Sequence, residues 1–258
     1  MRAATGDGGG RVRRRPWVCG FLSVWPWSGG DWVQDVSQII RIPSRRITPI
    51  PVYDPRPEAV QLELFTHRFA AIARQMGERL QRTAVSTNVK ERLDFSCALL
   101  DPAGELVVNA PHIPVHLGAL GLCVRRLRET IAMEPGDVVV TNHPGFGGSH
   151  LPDVTVVTPV YEEEEGGTLL GTLLGYVASR AHHAEIGGIR PGSMPPGARR
   201  LIEEGVVIPP AYLIRRGEPR WDEMRRLLLE APFPTRAVEE NLADLRAAVA
   251  ASHRGAEA

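Results

Sequence analysis

Val138-Val139-Val140-Thr141, then Asn142-His143-Pro144-Gly145-Phe146-Gly147-Gly148-Ser149-His150-Leu151-Pro152-Asp153, then Val154-Thr155-Val156-Val157 is the stretch whose reading decides the fold. The flanking runs are short, β-branched and bounded by turn residues, which predicts two buried strands. The segment between them is too rich in Gly and Pro to be a helix. It is therefore a loop at strand ends, and a rigid sheet presents such loops as sites. It carries two imidazoles and a carboxylate, and His150 and Asp153 are donor types suited to a divalent ion.

A second cluster has the same grammar. The run Leu169 to Val177 leads into Ala178-Ser179-Arg180-Ala181-His182-His183-Ala184-Glu185-Ile186-Gly187-Gly188, two adjacent imidazoles and a carboxylate closed by a Gly pair. Adjacent side chains diverge in extended chain, so at most one of His182 and His183 faces a given site. The prediction is that His150, Asp153 and one of that histidine pair converge on one ion. The alternative is two loops whose polar groups serve only their own turns.

Working outward, the spacing of Val60, Leu64, Ile72, Met76 and Leu80 predicts a helix over 58–84. Strands are expected near 94–100, 105–109, 137–142, 154–160 and 171–178, with a short one at Val206-Val207-Ile208. Further helices are expected near 119–133, 221–230 and 238–252. The last ends close to the final residue, and no later element follows to pair with it. Tight turns at Asp101-Pro102-Ala103-Gly104 and Glu162 to Gly167 favour antiparallel neighbours. The expected fold is α/β of the α+β type, a mixed, largely antiparallel sheet with packed helices. His112 and His116 lie four apart, but Pro114 between them argues for a loop rather than one helical face. They are assigned to the cavity wall or to a substrate contact.

Composition limits the alternatives. The 258 residues are 43% hydrophobic, enough for a core, and 30 basic residues balance 30 acidic ones, so there is no nucleic-acid footprint. Three cysteines, Cys19, Cys97 and Cys123, form neither a zinc knuckle nor a disulfide framework. That favours a reducing, cytoplasmic setting. No run is long enough to span a membrane. Residues 1–53 differ from the rest, with Arg11, Arg13, Arg14 and Arg15, four of the five tryptophans, and a Pro-rich end. Pro26 and the tryptophans interrupt any signal-peptide pattern, so the reading is a disordered or non-homologous extension and linker.

Several of these words resemble a known family. Arg82-Thr83-Ala84-Val85-Ser86-Thr87-Asn88-Val89-Lys90-Glu91-Arg92-Leu93-Asp94-Phe95-Ser96-Cys97-Ala98 and Ala110-Pro111-His112-Ile113-Pro114-Val115-His116-Leu117-Gly118 are similar to the hydantoinase B/oxoprolinase family. Asn142-His143-Pro144, Gly147 to Asp153, Ala178-Ser179-Arg180, His182-His183 and Pro191 to Pro196 complete the match, and His143 points to the 5-oxoprolinase branch. The resemblance makes residues 54–258 the N-terminal part of the family domain, truncated relative to its full length.

The resemblance implies a B-type subunit of an ATP-dependent 5-oxoprolinase, hydrolysing a cyclic amide to glutamate. It would act in a hetero-oligomer with an A-type subunit that carries the ATP. Alternatives are a hydantoinase or N-methylhydantoinase subunit, a ketone carboxylase-like subunit, or a non-catalytic remnant that binds the A-type partner. It also implies a divalent ion (Zn, Mn or Mg) on His150, Asp153 and one of His182 and His183. In this reading Glu185 or His183 moves the proton. Arg180 holds the substrate carboxylate, and His112, His116 and His143 line the substrate site. No membrane or nucleic-acid partner is expected.

Overall fold

The computed structural model describes residues 56–110, 113–163 and 169–258. The expectations for residues 1–53, for the tip of the acidic turn and for His112 lie outside them.

Helix α1 spans Glu58–Thr83 and a single turn, α2, spans Thr87–Lys90. Strands β1 (Phe95–Leu100) and β2 (Leu106–Asn109) form a hairpin around the Asp101–Gly104 turn. Helix α3 (Pro114–Thr130) precedes β3 (Val138–Thr141), a 3-10 turn at Pro144–Phe146, and the long pair β4 (Asp153–Glu163) and β5 (Leu169–His182). A turn α4 (Leu201–Glu204), strands β6 (Ala211–Arg215) and β7 (Glu218–Pro219), and helices α5 (Trp221–Leu229) and α6 (Val238–Ala256) complete the chain. The strand order is β2-β1-β5-β4-β3-β6-β7, and each described pairing is antiparallel. The α/β fold with an antiparallel sheet is therefore the one expected. No helix among the described residues is long and apolar enough to cross a membrane.

Alternation of side chains divides the sheet into two buried faces. Cys97, Val154, Val156, Val177 and Ala181 point to the side covered by α1 and α6, where they meet Met76, Leu80, Leu245 and Ala248. Ala98, Val139, Val157 and Ala178 point to the other side and pack on Leu120, Cys123, Val124 and Leu127 of α3.

Three elements differ from expectation. Helix α3 starts at Pro114, well before residue 119, because proline at the first helical position gives up an N–H that has no partner there anyway. His116 is consequently a buried residue of the first helical turn. Val206-Val207-Ile208 is not a strand, and the ladder is made by Ala211–Arg215 instead. The Val206 N–H goes to Ile186 O, and the Ile208 N–H goes to the Asn142 side chain. Finally, α6 is not free. Ala247, Ala248, Ala251 and Gly255 present a small-residue face to the core, and a Cβ on Gly255 would collide with Met76 of α1.

Candidate metal centre

Asp153 opens β4 and His182 closes β5, and the two are direct Cα partners in the antiparallel ladder. The loop entering β4 and the loop leaving β5 therefore emerge from the same end of the sheet. Asp153 and Thr155 on β4, Arg180 and His182 on β5, and Ser96 on β1 alternate onto the α3 face. That register brings together the residues predicted from two distant words.

Three imidazoles surround the Asp153 carboxylate, which has no solvent exposure. His182 Nδ1 stands 2.9 Å from Oδ1, while His150 Nδ1 at 3.2 Å and His116 Nε2 at 3.5 Å face Oδ2. The His150 and His182 rings meet edge to face, their centroids 4.9 Å apart. His116 is fixed from behind, its Nδ1 lying 3.1 Å from Ser96 Oγ. Burial pushes the Asp153 carboxyl up. The hydrogen bonds of His116 and His182, and then the charges of His150 and His116, outweigh it and hold the carboxyl well below the usual carboxylate range.

The residues fit an ion. One ligand atom each from His150, Asp153 and His182 lies within 4.8 Å of the other two. Asp153 Oδ2 and His150 Nδ1 are buried and make no well-formed hydrogen bond: they stand 3.2 Å apart, and His116 Nε2 approaches Oδ2 only to 3.5 Å. Buried polar atoms are costly to leave unpaired. Two ligands that each lie 2.0–2.2 Å from one ion are spaced by roughly 3–3.5 Å, so this pair suits a shared cation better than a hydrogen bond.

The pair His182-His183 divides between the two faces. His183 turns to the α6 side, where it is buried with Nδ1 facing Asn241 Nδ2 at 3.1 Å. Burial pushes its pKa below the ordinary imidazole value, against the raising effect of Asp244. Of the two, His182 is the one placed to ligate.

The remaining candidates are distributed as follows. Glu185 accepts from Gly187 N at 2.7 Å, Gly192 N at 2.8 Å and the Arg236 guanidinium at 3.1 Å. Its carboxylate staples the Gly187-Gly188 loop. His143 caps the 3-10 turn, its Nδ1 accepting from Gly145 N at 2.9 Å, and its ring packs edge-on to Phe146. Arg180 is wholly buried beneath α3. Its Nε donates to Thr155 Oγ1 at 2.7 Å, and neither terminal nitrogen has a hydrogen-bond partner among the described residues. Cys123 lies beside it, and burial pushes the thiol up and the guanidinium down. Among the described residues no carboxylate pairs with Arg180 at salt-bridge distance, although the charge of Asp153 acts on it.

Sequence reasoning missed Ser96, and it placed His116 in a loop. The available signal was parity, because Ser96 alternates with the apolar residues of β1. Asn142 and Asn241, both buried, were also missed. An Asn directly after the strand-like run Val138-Val139-Val140-Thr141 could have raised the question.

The hydantoinase B/oxoprolinase family profile matches residues 58–258. The 5-oxoprolinase 1 of Arabidopsis thaliana is 50% identical over 211 residues, covering 77% of this chain and 16% of that protein. Among solved structures, the ATP-dependent caprolactamase from Pseudomonas jessenii superposes with a TM-score of 0.63 at 29% identity, over 77% of this chain and 33% of that one. An acetone carboxylase gives a TM-score of 0.67 at 19% identity, over 77% and 25%, a likeness of fold. The chain thus spans about one sixth of the plant relative's length. A profile match running from α1 through α6 settles the larger question: this chain belongs to the hydantoinase B/oxoprolinase family.

Proposed function

We propose that this chain supplies the metal-bearing N-terminal part of the B-type section of an ATP-dependent 5-oxoprolinase. The observation that carries the reading is the single buried carboxylate of Asp153, ringed by His150, His182 and His116 at one end of the sheet. The 50% identity to a 5-oxoprolinase supports the choice of substrate, and the caprolactamase likeness supports a cyclic amide more broadly. ATP belongs to an A-type partner, which activates the amide carbonyl by phosphorylation. The products are glutamate, ADP and phosphate.

In this reading His150, Asp153 and His182 hold one divalent ion (Zn, Mn or Mg). When bound, the ion polarises a carbonyl or lowers the pKa of a bound water. The chain's own residues do the rest. His116 presents an N–H to Asp153 and so keeps the carboxylate ionised and its Oδ2 aimed at the His150 side. Ser96 fixes the ring of His116. Arg180 would bind the substrate carboxylate through its two terminal nitrogens, which have no described hydrogen-bond partner, and because the guanidinium is wholly buried this role requires its cover to open. The proton-transfer role first given to Glu185 or His183 has little support, since Glu185 is engaged by N–H donors and His183 by Asn241.

The test is a reconstituted A-type and complete B-type pair assayed for glutamate and ADP. His150→Ala and Asp153→Ala should stop glutamate formation while ATP turnover continues. Near wild-type glutamate formation in both variants would show the loop to be structural.

A further inference from the structure

The two loops that bear the candidate ligands are not held by regular ladders. Each has a buried carboxamide among its ties. Asn142 sits just past β3 and is 1% exposed. Its Nδ2 donates to Leu151 O at 2.8 Å and to Val206 O at 2.8 Å, and its Oδ1 accepts from Ile208 N at 2.6 Å. The amide thereby closes the loop that carries His150 onto itself and pins it to the 206–208 segment. Gly148 passes so close beneath that a Cβ there would stand 2.7 Å from Asn142 O.

Asn241 does the same from α6. Its Nδ2 donates to Glu185 O at 2.6 Å and faces His183 Nδ1 at 3.1 Å, and its Oδ1 accepts from Thr235 Oγ1 at 2.7 Å. Glu185 O can only accept, which identifies Nδ2 as the amide atom facing it and leaves Oδ1 for the Thr235 hydroxyl, whose oxygen also accepts from Ala237 N. The backbone of His183 then donates to Pro152 O at 2.9 Å, immediately before Asp153. Asn241 thus joins the Glu185 carboxylate in fixing the turn that follows His182. A buried amide is tolerable only when its hydrogen bonds are made. Asn142 makes those described above to backbone, and Asn241 divides its own between Glu185 O and the side chains of His183 and Thr235.

We propose that Asn142 and Asn241 are positioning residues of the His150–Asp153–His182 centre, holding its two loops at ion-binding separation. The inference rests on the metal reading above. An alanine at either position leaves loop carbonyls unpaired and frees the loop, and changes of this kind around a metal site cost on the order of 10–100-fold in affinity.

The experiment loads the full chain with Co2+ and records affinity, visible absorption and thermal midpoint together. Asn142→Ala and Asn241→Ala should each weaken Co2+ by about tenfold or more and alter the absorption bands. Leu80→Ala opens a cavity between α1 and α6, so it should lower the thermal midpoint while leaving affinity and spectrum as in wild type. If an asparagine variant does not fold, Thr141→Val and Thr235→Val loosen the same loops more gently, and each should shift affinity in the same direction. Wild-type affinity and spectrum in the asparagine variants would overturn the inference, as would an equal loss of affinity in Leu80→Ala. If wild type takes up no Co2+, or binding survives His182→Ala, the metal reading itself fails and this inference falls with it.

Discussion

His182 Nδ1 stands 2.9 Å from Asp153 Oδ1, and the two residues are direct partners across the β4–β5 ladder. Side chains at paired positions project to the same face, and a slip of one residue would send one of them to the α6 side. His183 shows that alternative, buried against Asn241. The two neighbouring histidines should therefore respond differently to truncation. His182→Ala is expected to abolish measurable ion binding, and it also costs stability because it removes the hydrogen-bond partner of the buried Asp153 Oδ1. His183→Ala should keep a measurable affinity but lose about 1–3 kcal/mol of stability, because it leaves a buried amide donor unpaired. Isothermal titration with Zn2+ separates the two, and urea unfolding of the apoprotein measures each loss of stability. Equal loss of binding in both variants would contradict the assignment of His182.

Arg180 gives a prediction of opposite sign. Arg180 is a buried cation with no direct ion pair among the described residues, and replacing buried charges by apolar side chains of similar volume is often neutral or stabilising by about 1–4 kcal/mol. Arg180→Met should therefore leave the thermal midpoint of the apoprotein unchanged or raised, while, on the function proposed above, 5-oxoproline turnover by the reconstituted complete pair falls. A loss of about 3–5 kcal/mol would instead show that the guanidinium is one half of a structural ion pair.

The glycines of the loop after β5 are not equivalent. Gly187 and Gly192 have φ of +86° and +81°, where L side chains are strained by roughly 1–2 kcal/mol. A Cβ on Gly192 meets nothing within 4 Å, whereas one on Gly187 collides with Phe233 O. Gly187→Ala should cost about 1–3 kcal/mol more than Gly192→Ala, the usual range for overpacking, and should loosen Glu185, which accepts from Gly187 N. Denaturation midpoints of the two variants, compared at equal slope, give the difference directly.

The parts of the fold legible in the sequence are those set by local periodicity. Valine runs bounded by Gly and Pro marked β3 and β4, and the spacing of Ile72, Met76 and Leu80 marked α1. The convergence of His150 and Asp153 with one of His182 and His183 was legible as donor type plus loop placement, because each word lies at a strand end. What sequence could not supply was the pairing register, which decides between His182 and His183, and the long-range polar contacts. Asp153 meets His116 and Asn241 meets His183 only after the sheet and helices have closed. Pro114 misled because the same residue that forbids a helix interior is favoured at its first position.

Cys97 carries the last prediction, on the alkaline side. It lies wholly buried on β1, and burial alone pushes its thiol up to about 12. In the unfolded chain the thiol ionises near 8.5. Between those values the native state keeps a proton that the unfolded state has lost, so stability must fall as pH rises. The slope approaches about 1.4 kcal/mol per pH unit, which amounts to roughly 2 kcal/mol by pH 10. Cys123 is shifted the same way by burial, so it contributes a slope of the same sign. Cys97→Ala should be less stable than wild type near pH 7.5, because it leaves a small cavity between the sheet and the helices. Its stability should nevertheless decline less steeply toward pH 10, so that the two curves converge. Urea unfolding under reducing conditions across that range measures both. Parallel curves would mean that Cys97 ionises as readily in the native protein as in the unfolded chain.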